Sequence, residues 1–181
     1  MATALAACLT LAPATGHAQG RDTVHHADTS AAQHGPIVTA AHERRLAIHR
    51  ITAYTIPPLF VAQYLVGQRL YRDVSRPGGP DDWVRPVHRT GAVLIGTAFA
   101  INATTGALNL WAQRQDPQDR ALRIVHGASM LAAAAGFTYA GVRLSEQAEA
   151  SSAKRREHRQ VATASMGLTL ASGTLMWWVN R

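Results

Sequence analysis

The stretch HRTGAVLIGTAFAINATTGALNLWAQ, residues 88–113, decides the fold. From Thr90 to Gln113 it holds 24 consecutive residues without Asp, Glu, Lys or Arg. A helix rises about 1.5 Å per residue and needs roughly 20 apolar residues to cross a bilayer's hydrocarbon core, so this run is long enough to span. Three others match it: Ile51 to Gln68, Ile124 to Val142 and Gln160 to Asn180, with 18, 19 and 21 residues. A helix of a soluble bundle keeps one charged face, whereas these runs have none over five or six turns. The pattern predicts an all-α protein, a transmembrane antiparallel four-helix bundle.

The chain of 181 residues is the size of one domain. Its mean hydropathy is close to neutral, but the mean hides a sharp division between polar connections and uncharged runs. The formal charge of +7 does not point to nucleic acid, because the Arg residues sit mainly in connections flanking the apolar runs, as is ordinary for membrane proteins. Cys8 is the only cysteine, so no disulfide framework is available.

Residues 1–20 read as a secretory signal without its basic n-region: an apolar stretch around Leu5 to Ala14, then Gly16-His17-Ala18, with cleavage expected after Ala18. Leu5-Ala6-Ala7-Cys8 also looks like a lipobox. Residues 21–41 have low hydrophobicity and no period, and so predict a flexible exported linker. His17, His25, His26, His34 and His42 fall in or beside it, a set suited to weak chelation of Cu, Zn or Fe ions.

The transmembrane domain is expected over 42–181. Helix boundaries are predicted at about His42 to Arg69, Pro86 to Gln113, Arg120 to Leu144 and Lys154 to Asn180. Pro57-Pro58 should kink or locally unwind the first, with neighbouring helices satisfying the freed carbonyls. Arg76-Pro77-Gly78-Gly79-Pro80-Asp81-Asp82 is a loop signal, Pro86 suits a first turn, and Ser145 to Ala153 reads as a polar connection. Trp177-Trp178 suits a membrane interface. The first and third connections hold 10 Lys and Arg against 8 on the other side, a small bias that puts both termini outside, in a bacterial inner membrane.

Each expected span begins near a histidine: His49, His88, His126 and His158. Consecutive spans run antiparallel, so His49 can face His126 at the outer side and His88 can face His158 at the inner side. Haem iron takes axial nitrogen ligands above and below the porphyrin plane, and two protein ligands leave no open position for oxygen. A flat macrocycle requires small residues one turn further in, and Thr52, Ala53, Gly91, Ala92, Ser129 and Ala162 stand there. Gly96, Gly106, Gly127, Gly136, Gly141, Gly167 and Gly173 add further thin spots. Haem propionates would be met by Arg50, Arg89 and Arg159, each directly after a histidine, and by Arg123, one turn before His126. His42 lies seven residues before His49 on nearly the same face and competes for its role; His158 follows the basic Lys154-Arg155-Arg156 and so stands nearer solvent.

Other cofactors fit less well. There is no Gly-x-Gly-x-x-Gly turn, P-loop or Cys-x-x-Cys-His, and zinc would need four converging ligands where only two histidines meet. Two non-covalent haem b groups fit best.

The four histidines, at intervals of 39, 38 and 32 residues, together with His126-Gly127, resemble the cytochrome b561 family over about 42–181. That resemblance implies one haem near each membrane face and electron transfer across the membrane, from a reductant such as ascorbate to ferric iron or monodehydroascorbate. No residue set here matches the family's ascorbate-binding motifs, and only the four core helices are present. The expected function is transmembrane electron transport from the inner to the outer haem and on to a periplasmic acceptor such as ferric iron. If the protein is an enzyme, it is a membrane oxidoreductase of ferric-reductase or quinol-linked type. Its expected partners are the lipid bilayer and a small-molecule or protein donor and acceptor, without nucleic acid and with room for a homodimer or larger redox complex. Two alternatives stand beside it: a haem-bearing anchor subunit of such a complex, and a haem-free membrane scaffold.

Overall fold

The computed structural model describes residues 39–179, and every described element is helical. The signal-like segment and nearly all of the linker, with Cys8 and the four histidines before His42, lie outside the described residues. Helix α1 runs over Ala40–Asp73, α2 over Val84–Ala112 and α3 over Arg120–Thr138. A π-helical segment, Tyr139–Leu144, leads into α4 (Ser145–Ala150), and α5 covers Ser152–Val179.

Three expectations are corrected. The first helix begins at Ala40, inside the expected linker, because the Thr39 hydroxyl accepts the His42 amide (3.3 Å) and the two alanines after this cap are strong helix formers. Pro57 and Pro58 do not unwind it: the helix is continuous to Asp73, and both rings lie on its exposed side. The expected connection from Ser145 is mostly helix as well. Glu146, Gln147, Ala148, Glu149 and Ala150 favour helix in water as in lipid, so polarity ends the apolar run without ending the helix. The break falls at Ser151, whose backbone is extended (φ −135°, ψ 127°).

Side-chain bonds fix the direction of packing. His49, early in α1, bonds Thr105, late in α2; His126, early in α3, bonds Ser172, late in α5. Both hairpins are therefore antiparallel. Helix α1 packs along α2, α3 along α5, α2 touches α3 and α1 touches α5, which leaves α1 diagonal to α3 and α2 diagonal to α5. At mid-length, Phe60, Phe99 and Phe137 meet with ring centroids 5.2–6.4 Å apart, packed with Ile56, Ile95, Ala98 and Ala133.

Outside this aromatic layer the usual distribution is inverted. Gln63, Asn102, Thr105, Asn109, Ser165, Thr169 and Ser172 are buried, while Ile51, Val61, Leu65, Val93, Leu131 and Val142 are each at least 60% exposed. Two stretches are long and apolar enough to cross a membrane: α2, and the continuous rod from Arg120 to Ala150. An apolar core helix of a soluble protein would be mostly buried, whereas only 28% and 6% of their most apolar windows are. Helices α1 and α5 are as long but more polar, with charged first turns and interior rows that include Gln63, Ser165, Thr169 and Ser172. Trp83 and Trp111, both exposed, bracket α2 at a separation of roughly 42 Å at 1.5 Å per residue.

Candidate functional site

The four histidines form two diagonal pairs at opposite ends of the bundle. The His88 and His158 rings have centroids 6.3 Å apart and planes inclined at 60°. A metal held between two imidazoles, with bonds of about 2 Å and a further ~1.2 Å from nitrogen to ring centre on each side, requires nearly that separation. At the other end, His49 and His126 lie within electrostatic range of each other. His42 instead approaches the Gln113 side chain, with its Nε2 3.4 Å from the amide nitrogen, so His49 is the α1 histidine that meets His126. All four histidines are partly shielded, His158 among them despite its basic neighbours.

Nδ1 of three of the four rings has a hydrogen-bond partner. His158 Nδ1 lies 2.9 Å from the Ala140 carbonyl, which can only accept, so Nδ1 carries the proton and Nε2 keeps its lone pair. Ala140 belongs to the π-helical segment, where the backbone register shifts and side chains reach carbonyls: the Ser145 hydroxyl likewise donates to Gly141 (2.7 Å). His49 Nδ1 is 3.0 Å from Thr105 Oγ1, and His126 Nδ1 is 2.8 Å from Ser172 Oγ. Thr105 Oγ1 also donates to the Ile101 carbonyl, which directs its lone pairs toward His49. The bonds at His158 and His49 set those two tautomers and leave each Nε2 with a lone pair able to ligate, while Ser172 holds the orientation of the His126 ring. His88 Nδ1 is buried without a partner.

Two glycines make room for rings. A Cβ at Gly67 would stand 3.2 Å from His88 Cε1, and one at Gly106 would stand 3.3 Å from His49 Cε1. Gly106 is among the small residues singled out from sequence; Gly67 is not, and only its juxtaposition across the hairpin identifies it. Gly91 has a different use from the one expected. The space above it is filled by the Gln63 side chain, whose Nε2 donates to the His88 carbonyl (3.0 Å), and a Cβ there would collide with Gln63 Oε1. Gly136 is filled in the same way by the Ser165 hydroxyl. Gly96, Gly127, Gly141, Gly167 and Gly173 face open space, and Ala92 is exposed; Thr52, Ala53, Ser129 and Ala162 are partly covered.

The arginines divide by helical angle. Arg50, Arg89 and Arg159 are one step past their histidines, a turn of roughly 100°, and all three are exposed. Arg159 stacks on Tyr71 at 4.9 Å. Arg123 is half-buried and donates to the Asp116 carbonyl (2.8 Å), yet its Nε has no partner. Arg45, one turn before His49, has the same half-buried position and an equally orphaned Nε. Sequence reading passed over Arg45 in favour of Arg50, although the four-residue spacing to His49 was the signal. Asn102 and Asn109 add unpartnered buried polar atoms to the interior face of α2, at the same end.

Among the described residues, no three or more His, Cys, Asp or Glu side chains come together, so each end offers two imidazoles and no chelating cluster. No protein-family model, curated protein or solved structure matches the chain.

Proposed function

We propose that the chain is a membrane-embedded electron carrier of the cytochrome b561-like kind, a four-span bundle in which His88 with His158, and His49 with His126, each hold one haem b. The observation that carries this reading is the diagonal pairing of four histidines: the His88 and His158 rings lie 6.3 Å apart, and Nδ1 of His49, His126 and His158 is hydrogen-bonded. When bound, haem b would supply a one-electron iron couple, with His88 and His158, and His49 and His126, as the residues that would hold it.

The rest is the work of this chain's own residues. Ala140 and Thr105 hold His158 and His49 in the tautomer that leaves Nε2 free to ligate, and Ser172 holds the orientation of His126. Gly67 and Gly106 admit the rings, and Gln63 ties the start of α2 to α1 beside His88. The orphaned Nε donors of Arg45 and Arg123 suit anionic propionates at the His49 end, where each guanidinium precedes its histidine by one turn. The Phe60, Phe99 and Phe137 layer excludes water between the two ends. With the more basic connections beside it, the His88 end would face the cytoplasm and a cytoplasmic or quinol donor, and the His49 end would face a periplasmic acceptor such as ferric iron.

Reduced-minus-oxidised spectra and haem stoichiometry of the purified protein test the proposal. Two haems per chain and a b-type α-band are expected, and each of His49→Ala, His88→Ala, His126→Ala and His158→Ala should remove one haem. A spectrum without that band, or a ratio near one in the unaltered protein, overturns it.

A further inference from the structure

At the His88 end, the groove between α1 and α5 opens into a cleft of about 410 Å³ lined by Tyr64, Tyr71, Arg156, Arg159, Gln160 and Thr163. Its chemistry is one-sided: two guanidiniums, two phenols, an amide and a hydroxyl, with no carboxylate. The neighbouring cations are already engaged. Lys154 pairs with Glu157 (2.8 Å) and Arg155 donates to the Ala148 carbonyl (3.1 Å), whereas neither Arg156 nor Arg159 enters an ion pair among the described residues. Arg159 is held over the Tyr71 ring, which fixes its plane while leaving its N–H edges free. Arg156 and Arg159 are three residues apart on one helix, so their head groups can converge on a single anion.

We propose that this cleft binds the phosphate of an anionic phospholipid. A guanidinium fork matches two phosphate oxygens, and the Tyr64 hydroxyl and Gln160 amide can meet the remaining oxygens or the glycerol hydroxyls. The cleft is far larger than a phosphate ion alone. One turn before Tyr64 on α1 stands Val61, 60% exposed, which offers an acyl chain apolar surface next to the cleft. Both features select a ligand with an anionic head and an apolar tail. The site rests on the membrane reading of the bundle and does not depend on haem.

The test uses the full-length protein in zwitterionic detergent, titrated calorimetrically with short-chain phosphatidylglycerol, short-chain phosphatidylcholine and inorganic phosphate. Phosphatidylglycerol should bind at one site per chain, at least tenfold more tightly than the other two. Arg156→Gln and Arg159→Gln should each weaken it about tenfold or more, Arg156→Lys less than Arg156→Gln, and Arg85→Gln, at an arginine paired with Glu149 (3.0 Å), not at all. Inorganic phosphate binding as tightly as the lipid, with the same dependence on both arginines, would assign the cleft to a soluble phosphate and overturn the lipid. Equal affinity for the two lipids, or binding indifferent to both glutamine variants, overturns the site. Visible spectra of the same samples separate the two proposals: lost lipid with an unchanged spectrum concerns the cleft alone, and intact lipid binding without a b-type spectrum concerns the haem reading alone.

Discussion

Gly67→Val tests whether the bundle is built around ligating rings. The missing side chain at Gly67 is where His88 sits: a methyl there would already be 3.2 Å from Cε1 and 3.5 Å from Nδ1. Ordinary carbon contacts lie at about 3.5–4.0 Å, so alanine asks His88 to move by only a few tenths of an ångström. Valine places further carbons toward the ring and demands a shift nearer to an ångström, while ligand positions tolerate about 0.5 Å. Overpacking of this kind costs about 1–3 kcal/mol. Because the ring would yield before the helix backbone, that cost falls on ligation, and it corresponds to roughly a 5- to 150-fold loss of haem affinity at the His88 end. Haem-to-protein ratio, measured with helicity by circular dichroism, should fall from two toward one for Gly67→Val and remain near two for Gly67→Ala. Gly96→Val, at a position facing open space, is the control and should change nothing. Full haem content in Gly67→Val, with helicity intact, would refute the placement of His88 as a ligand.

The other expectations are as specific. Thr105→Val and Ser172→Ala each remove an Nδ1 partner at the His49 end, and should loosen one haem about 10- to 100-fold on dilution while leaving the other in place. Phe99→Ala opens the aromatic layer and should cost about 3–5 kcal/mol in reversible unfolding from detergent micelles, with both haems retained in the folded fraction. Gly91→Ala should destabilise through its collision with Gln63, and Gln63→Ala in the same chain should recover part of the loss; a double-mutant cycle showing additivity would contradict that contact.

The amino-acid order alone determined the helical class, the approximate ends of the four long helices and the alternation of histidines between the two ends of the chain's hairpins. These are properties of single segments: the length of an uncharged run and the antiparallel return of the next. Rotation of each helix about its axis was decided only by tertiary packing, and one residue step changes it by roughly 100°. That is why Arg45 and not Arg50 shares the buried face with His49, why Gln63 fills the space at Gly91, and why Gly67 rather than a residue beside His88 admits its ring. The π-helical segment lies within what reads as one uninterrupted apolar run, and its Ala140 carbonyl meets a partner on another helix, His158. Likewise the Arg156 and Arg159 cleft forms only where α5 meets the tyrosines of α1, some ninety residues earlier in the sequence.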